Sequence, residues 1–135
     1  PYDAFLPPCQ VRLLQLWDRI GIPHKSKKQV YSHSLRIISF QVDIDTMTVS
    51  IPLDSRKAHV AYIWELIAQQ RQLLVEWQHL LDWCSWALNI APLLQPALQS
   101  SYAKTWGKHV RNAPIMFLNN KIRHNLSFFA DTLEA

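Results

Sequence analysis

"EWQHLLDWCSWALNIAP", residues 76–92, decides how the chain is read. Its apolar residues Trp77, Leu80, Leu81, Cys84 and Leu88, continued back to Leu73, recur at helical spacing until Pro92 ends the run. A stripe of that width is buried against other helices, so the sequence around it is expected to supply them. On a helical wheel of about 100° per residue, Trp77 falls on the stripe and Trp86 lies nearly opposite, with Trp83 beside it. Gln78, Asp82 and Asn89 share that opposite face. Trp77 is therefore expected in the core, whereas Trp83 and Trp86 are expected where the helix meets something else.

The flanking sequence supplies the partners. Asp54 or Ser55 can cap a preceding helix whose stripe is Val60, Ile63, Trp64 and Ile67. Downstream, a helix is expected from about Pro96 to Trp106, ending near Gly107. Pro114 suits the first turn of a last helix with Ile115, Leu118, Ile122, Leu126, Phe129 and Leu133 on one side. Upstream, Val11, Leu14, Trp17 and Ile20 define a short helix that follows Pro7-Pro8 and stops at Gly21-Ile22-Pro23. Between them, "SLRIISFQVDIDTMTVSIP" (residues 34–52) is rich in β-branched residues and interrupted by Asp43-Ile44-Asp45. It predicts a hairpin with strands over 35–42 and 46–51. Two strands alone are marginal in water and need cover. The expected fold is mainly α (α+β): a short helix and β-hairpin in residues 1–52, leading into a bundle of about four helices in 53–135, within one folding unit.

Composition narrows the function. The 135 residues suit one domain with a real core. Apolar residues make up 49% and charged residues 18%, so the chain can pack, yet no apolar run approaches the ~20 residues of a membrane span. No membrane partner is expected. Gly21 and Gly107 are the only glycines, which argues against glycine-rich phosphate loops and nucleotide fingerprints. Of two cysteines, Cys84 lies on the apolar stripe and Cys9 has no base beside it, so neither reads as a nucleophile. A reducing, intracellular setting, nucleus or cytoplasm, is expected. The start at Pro1 rather than methionine is expected of a piece of something longer. The net charge is only +4, but cations group at Lys25, Lys27 and Lys28, at Lys104, Lys108 and Arg111, and at Lys121 and Arg123.

No complete catalytic site is legible. Asp43 and Asp45 have the D-x-D spacing that can hold a divalent metal, but aspartate at a hairpin end is more commonly a turn former. The six histidines show no spacing of the kind zinc needs, and His79 with Asp82 reads as a polar pair on a solvated face. No metal site and no cofactor is expected.

Three stretches in order, "RIGIPHKSKKQ", "LRIISFQVDIDTMTVSIP" and "EWQHLLDWCSWALNIAP", resemble successive elements of reverse transcriptases, closest to those of fungal retrotransposons. The resemblance covers most of residues 5–106. In that family the end of the palm has a short helix, a glycine-containing turn and a basic segment, then the primer-grip hairpin; the thumb follows, with a helix of the form Q-x-L-x-G-x-L-N-W-A-x-x-x-x-P.

The resemblance implies roles. Lys27 or Lys28 matches the lysine that assists the leaving pyrophosphate. Ile38, Ser39 and Phe40 match the turn region of the primer grip, with Ser39 where the family usually has glycine. Gln78, Asp82, Trp86 and Asn89 match a track along the minor groove of the template–primer duplex, a contact that reads shape rather than base identity. Asp82 departs from the family's glycine and brings bulk and negative charge toward phosphates. The metal-binding aspartates, including the Tyr-x-Asp-Asp turn, would lie upstream, so the parent polymerase's magnesium is held by residues outside this chain. The implied function is a non-catalytic grip on an RNA–DNA or DNA duplex, weak and nonspecific. The alternative is a helical interaction module that self-associates, or binds a protein, through Trp83 and Trp86.

Overall fold

The computed structural model describes residues 6–109, 114–115 and 118–135 of the chain. The fold is mainly α with a small antiparallel sheet, and the chain divides into two compact units, Pro1–Ser50 and Ile51–Ala135.

The first unit opens with α1 (Pro8–Ile20), which follows Pro7 and has a proline at the position where the missing N–H costs nothing. Gly21 ends it in the left-handed region at φ 77°. The Gly21 N–H bonds to the carbonyl of Asp18 and the Ile22 N–H to that of Trp17, the paired closure of a Schellman motif. Leu14 is buried, with Val11 and Trp17 half-buried on the same side.

The β region differs from the expected pair of strands. Residues 35–42 do not form one strand: β1 (Ser34–Ile37) turns at Ile38-Ser39 into β2 (Phe40–Asp43), and β3 (Thr48–Ser50) completes a three-stranded meander ordered β1-β2-β3. Leu35 pairs with Val42, so the two ends of the expected strand lie side by side. The β-branched run favours extended backbone on either side of the turn, and the turn itself is unmarked because neither Ile38 nor Ser39 favours the positive φ that both adopt. The second turn is signalled: the Asp43 carboxylate accepts the N–H groups of Asp45 (2.9 Å) and Thr46 (3.1 Å).

Among the described residues the second unit is a bundle of four helices: α2 (Leu53–Ala68), α3 (Leu74–Ala87), α4 (Gln95–Thr105) and α5 (Asn120–Glu134). α5 packs against α2 and α4, and α3 against α4 and α2. A core of Ile63, Leu74, Leu80, Cys84, Leu98, Ile122, Leu126 and Phe129 is sealed from solvent. Trp77 lies within it, fully buried as the sequence implies, and its indole N–H donates to the Ser101 carbonyl at 3.1 Å, tying α3 to α4.

Several sequence expectations shift at the edges of these helices. α2 starts earlier than a cap at Asp54 or Ser55 allows. Its N-cap is Pro52, which has no side chain to cap with, and Asp54 sits in the first turn, where its negative charge favours the positive end of the helix dipole. Its buried stripe is His59, Val60, Ile63 and Leu66, rotated away from Trp64, which is 40% exposed. Counting His59 as a surface residue displaces the stripe's apparent centre toward Trp64. Leu73 is exposed and belongs to the two-residue strand β4 (Gln72–Leu73), while Leu74 and Ala87 take the core positions. Pro114 does not start a helix. With Ile115 it forms β5 (Pro114–Ile115), antiparallel to β4, a short edge pairing that tolerates a missing N–H. α5 begins where Asn119 supplies a better cap, its side-chain oxygen accepting the Ile122 N–H at 2.9 Å.

Candidate nucleic-acid interface

In the first unit the residues matched to the primer grip form the β1–β2 turn. Ile38 has φ 49° and Ser39 φ 68°, so both central residues of a two-residue hairpin loop are left-handed. That is the backbone of the turn whose twist suits antiparallel strands and which normally selects Asn-Gly. A β-branched residue at positive φ is rare, and it projects Ile38 outward at 84% exposure. Phe40 starts β2 half-buried. Lys27 and Lys28 sit together in a single 3-10 turn, Ser26–Lys28, both exposed. Asp43 is occupied by its turn, and Asp45 pairs with His33 at 2.9 Å.

In the second unit the matched track divides. Gln78, Asp82 and Trp86 follow one another at i, i+4 and i+8 on α3, with Asp82 exposed and the other two half-buried. Asn89 lies beyond the end of the helix, and its amide nitrogen donates to the Trp86 carbonyl at 2.8 Å, closing the last turn. α3 contains no lysine or arginine; its acidic residues are the half-buried Glu76 and the exposed Asp82. Any contact of this face with a duplex therefore has to come from amide and indole rather than from phosphate neutralisation. Of the downstream basic group, Lys104 and Lys108 are half-buried, and Arg111 lies outside the described residues.

Trp83 and Trp86 are not free indoles. His59 of α2 meets both: its ring lies against Trp83 with the planes tilted by 33°, and it is parallel to Trp86 with centroids 6.1 Å apart and planes 6° apart. The two indoles are 6.4 Å from each other, and Trp83 keeps 36% exposure. His59 is 1% exposed, and neither ring nitrogen has a hydrogen-bond partner. Burial alone pushes its pKa down to about 3, so it is the neutral imidazole that packs here. The sequence reading missed it; the available signal was its place at i, i+4 and i+7 with Ile63 and Leu66. Beside it, the Tyr62 hydroxyl donates to the Glu76 carboxylate at 2.9 Å. Desolvation first, then the bond and charge of Glu76, raise the phenol to about 12. Tyr62, His79 and Trp83 line a shallow cavity of about 180 Å³.

Among the described residues, no three His, Cys, Asp or Glu side chains converge as a metal site, and no helix is long and apolar enough to cross a membrane. Burial raises the Cys84 thiol to about 12, so it is an inert packing group. No protein-family model, curated protein or solved structure matches the chain.

Proposed function

We propose that the chain is a segment related to the end of the palm and the thumb of reverse transcriptases, without a catalytic site of its own, that holds a nucleic-acid duplex weakly and without sequence preference. The observation that carries this reading is the left-handed Ser39 in a two-residue turn, the conformation that glycine, the family's usual residue there, adopts at least cost. Support also comes from Gln78, Asp82 and Trp86 lining one side of α3 while Trp77 faces the core. A grip contributes position rather than chemistry. The magnesium chemistry of such polymerases needs two carboxylates free to face one ion, and Asp43 and Asp45 do not fit, one holding a turn and the other a histidine.

Fluorescence anisotropy with a labelled RNA–DNA hybrid tests the reading. Binding should be measurable at low ionic strength and weaken as salt rises, through exposed cations such as Lys27 and Lys28 rather than through α3. Absence of salt-sensitive binding in dilute buffer would reject it.

A second reading, a helical module that self-associates or binds a protein, has its own observation. Leu93, in the 3-10 turn before α4, and Trp106, just after it, are 92% and 90% exposed, more available anchors than Trp83 or Trp86. Light scattering decides for self-association: a mass that grows with concentration and collapses in Trp106→Ala favours it. Both readings place the protein inside the cell, in nucleus or cytoplasm, where the free Cys9 and Cys84 stay reduced.

A further inference from the structure

We infer that α2 carries a second, separate nucleic-acid site: a groove that takes single-stranded nucleic acid, with an unpaired base against Trp64 and phosphates at Arg56 and Lys57. It rests on the proposed nucleic-acid role but not on the hairpin or on α3. Leu53, Arg56, Lys57, Val60, Ala61 and Trp64 recur every three or four residues and form one stripe of α2, roughly 100° round the helix from His59, Ile63 and Leu66. Glu134, in the last turn of α5, also lines it, and together they form an open groove of about 480 Å³.

The chemistry of the lining selects the ligand. Val60 and Ala61 make an apolar floor, and Trp64, 40% exposed, offers an indole without a ring contact to another described aromatic. Lys57 lies two turns before Trp64, about 10.5 Å along the axis, and Arg56 one residue further. Two cations beside a stacking platform are how single strands are held: charge follows the backbone, and an aromatic face takes a base of any identity. Glu134 is the lining's single carboxylate, which leaves the groove net positive, in contrast to α3 with its Glu76 and Asp82. A duplex offers base faces only at its ends, and a groove of this size admits a nucleoside-sized group rather than a whole duplex, on the order of the ligand pockets of ~300–1,000 Å³.

The test uses the full chain and three anisotropy probes: a single-stranded RNA and a single-stranded DNA of about 12 nucleotides, and the RNA–DNA hybrid. Trp64→Ala should weaken single-strand binding about tenfold, with Trp64→Phe retaining most of it. Arg56→Ala with Lys57→Ala should flatten the log–log salt dependence for single strands by about 1.4, two phosphates' worth. Hybrid affinity should stay unchanged in all of them. If single-strand binding is the same in every variant, or if hybrid and single strand weaken together, the groove is not this site. Hybrid binding without any single-strand effect removes the groove and leaves the duplex reading intact. Single-strand binding that responds to the variants, with no hybrid binding, keeps the groove and removes the duplex grip. Should Trp64→Ala fail to fold by circular dichroism, Trp64→Phe and the charge variants still decide the matter.

Discussion

An imidazole enclosed by two indoles, with neither nitrogen hydrogen-bonded, resists protonation because the charged form has nothing to solvate it. The folded His59 has its pKa lowered to about 3, from an ordinary value of 6.5. Below pH 6.5 the unfolded chain therefore binds a proton that the folded chain refuses. This contribution to stability is complete above neutrality and declines as pH falls toward 3, by up to about 1.4 kcal/mol per pH unit. Denaturant unfolding at pH 7 and pH 4.5 should show that decline, and His59→Leu should lessen it. An unchanged slope in His59→Leu would mean that another group carries the acid sensitivity. Asp82 lies exposed on α3, one turn before Trp86. If this face meets a duplex, its carboxylate is repelled by phosphate, so Asp82→Asn should tighten binding to an RNA–DNA hybrid several-fold, most clearly at low salt. No gain across the salt range would remove Asp82 from the contact. His59 was passed over in the sequence because a lone histidine reads as a surface residue even at the spacing of the apolar stripe, and only the packing of α3 over it decides otherwise.

At the scale of single elements, boundaries were legible where a residue has one dominant backbone habit. Pro8 starts α1, Gly21 ends it, and α4 runs close to the expected span. The β1–β2 turn was not legible, since Ile38 and Ser39 have no preference for positive φ and are held there by the ladder on either side. That conformation carries a cost, so Ser39→Gly should stabilise the protein by about 1 kcal/mol in denaturant unfolding. A destabilised Ser39→Gly would show that the hydroxyl or the stiffer backbone contributes more than the strain removes. The start of α5 offers the opposite case. Asn119 accepts the Ile122 N–H, and Asn119→Ala should lose about 1 kcal/mol by the same measurement. The reading that began a helix at Pro114 followed a sound preference, but a proline also fits a short edge strand, and the partner strand at Gln72–Leu73 is distant in sequence.

For the molecule as a whole, the closed core of residues 51–135 and the clustering of contacts into two units predict that this segment folds alone. Produced separately, it should keep its helical circular dichroism and melt cooperatively; a non-cooperative melt would make the first unit part of its core. Within it, Phe129→Ala should cost about 3–5 kcal/mol and lower the melting temperature accordingly, because Phe129 is fully enclosed. The mainly α character, the four-helix count and the burial of Trp77 were all legible in the sequence. Each follows from spacing along one chain, where 3.6 residues per turn and the aversion of apolar groups to water suffice. The split of 34–43 into two strands, the rotation of α2 toward His59, the half-burial of Trp86 and the groove between Trp64 and Glu134 were not. Those depend on which distant segments meet, and local periodicity does not encode the partner on the other side of a contact.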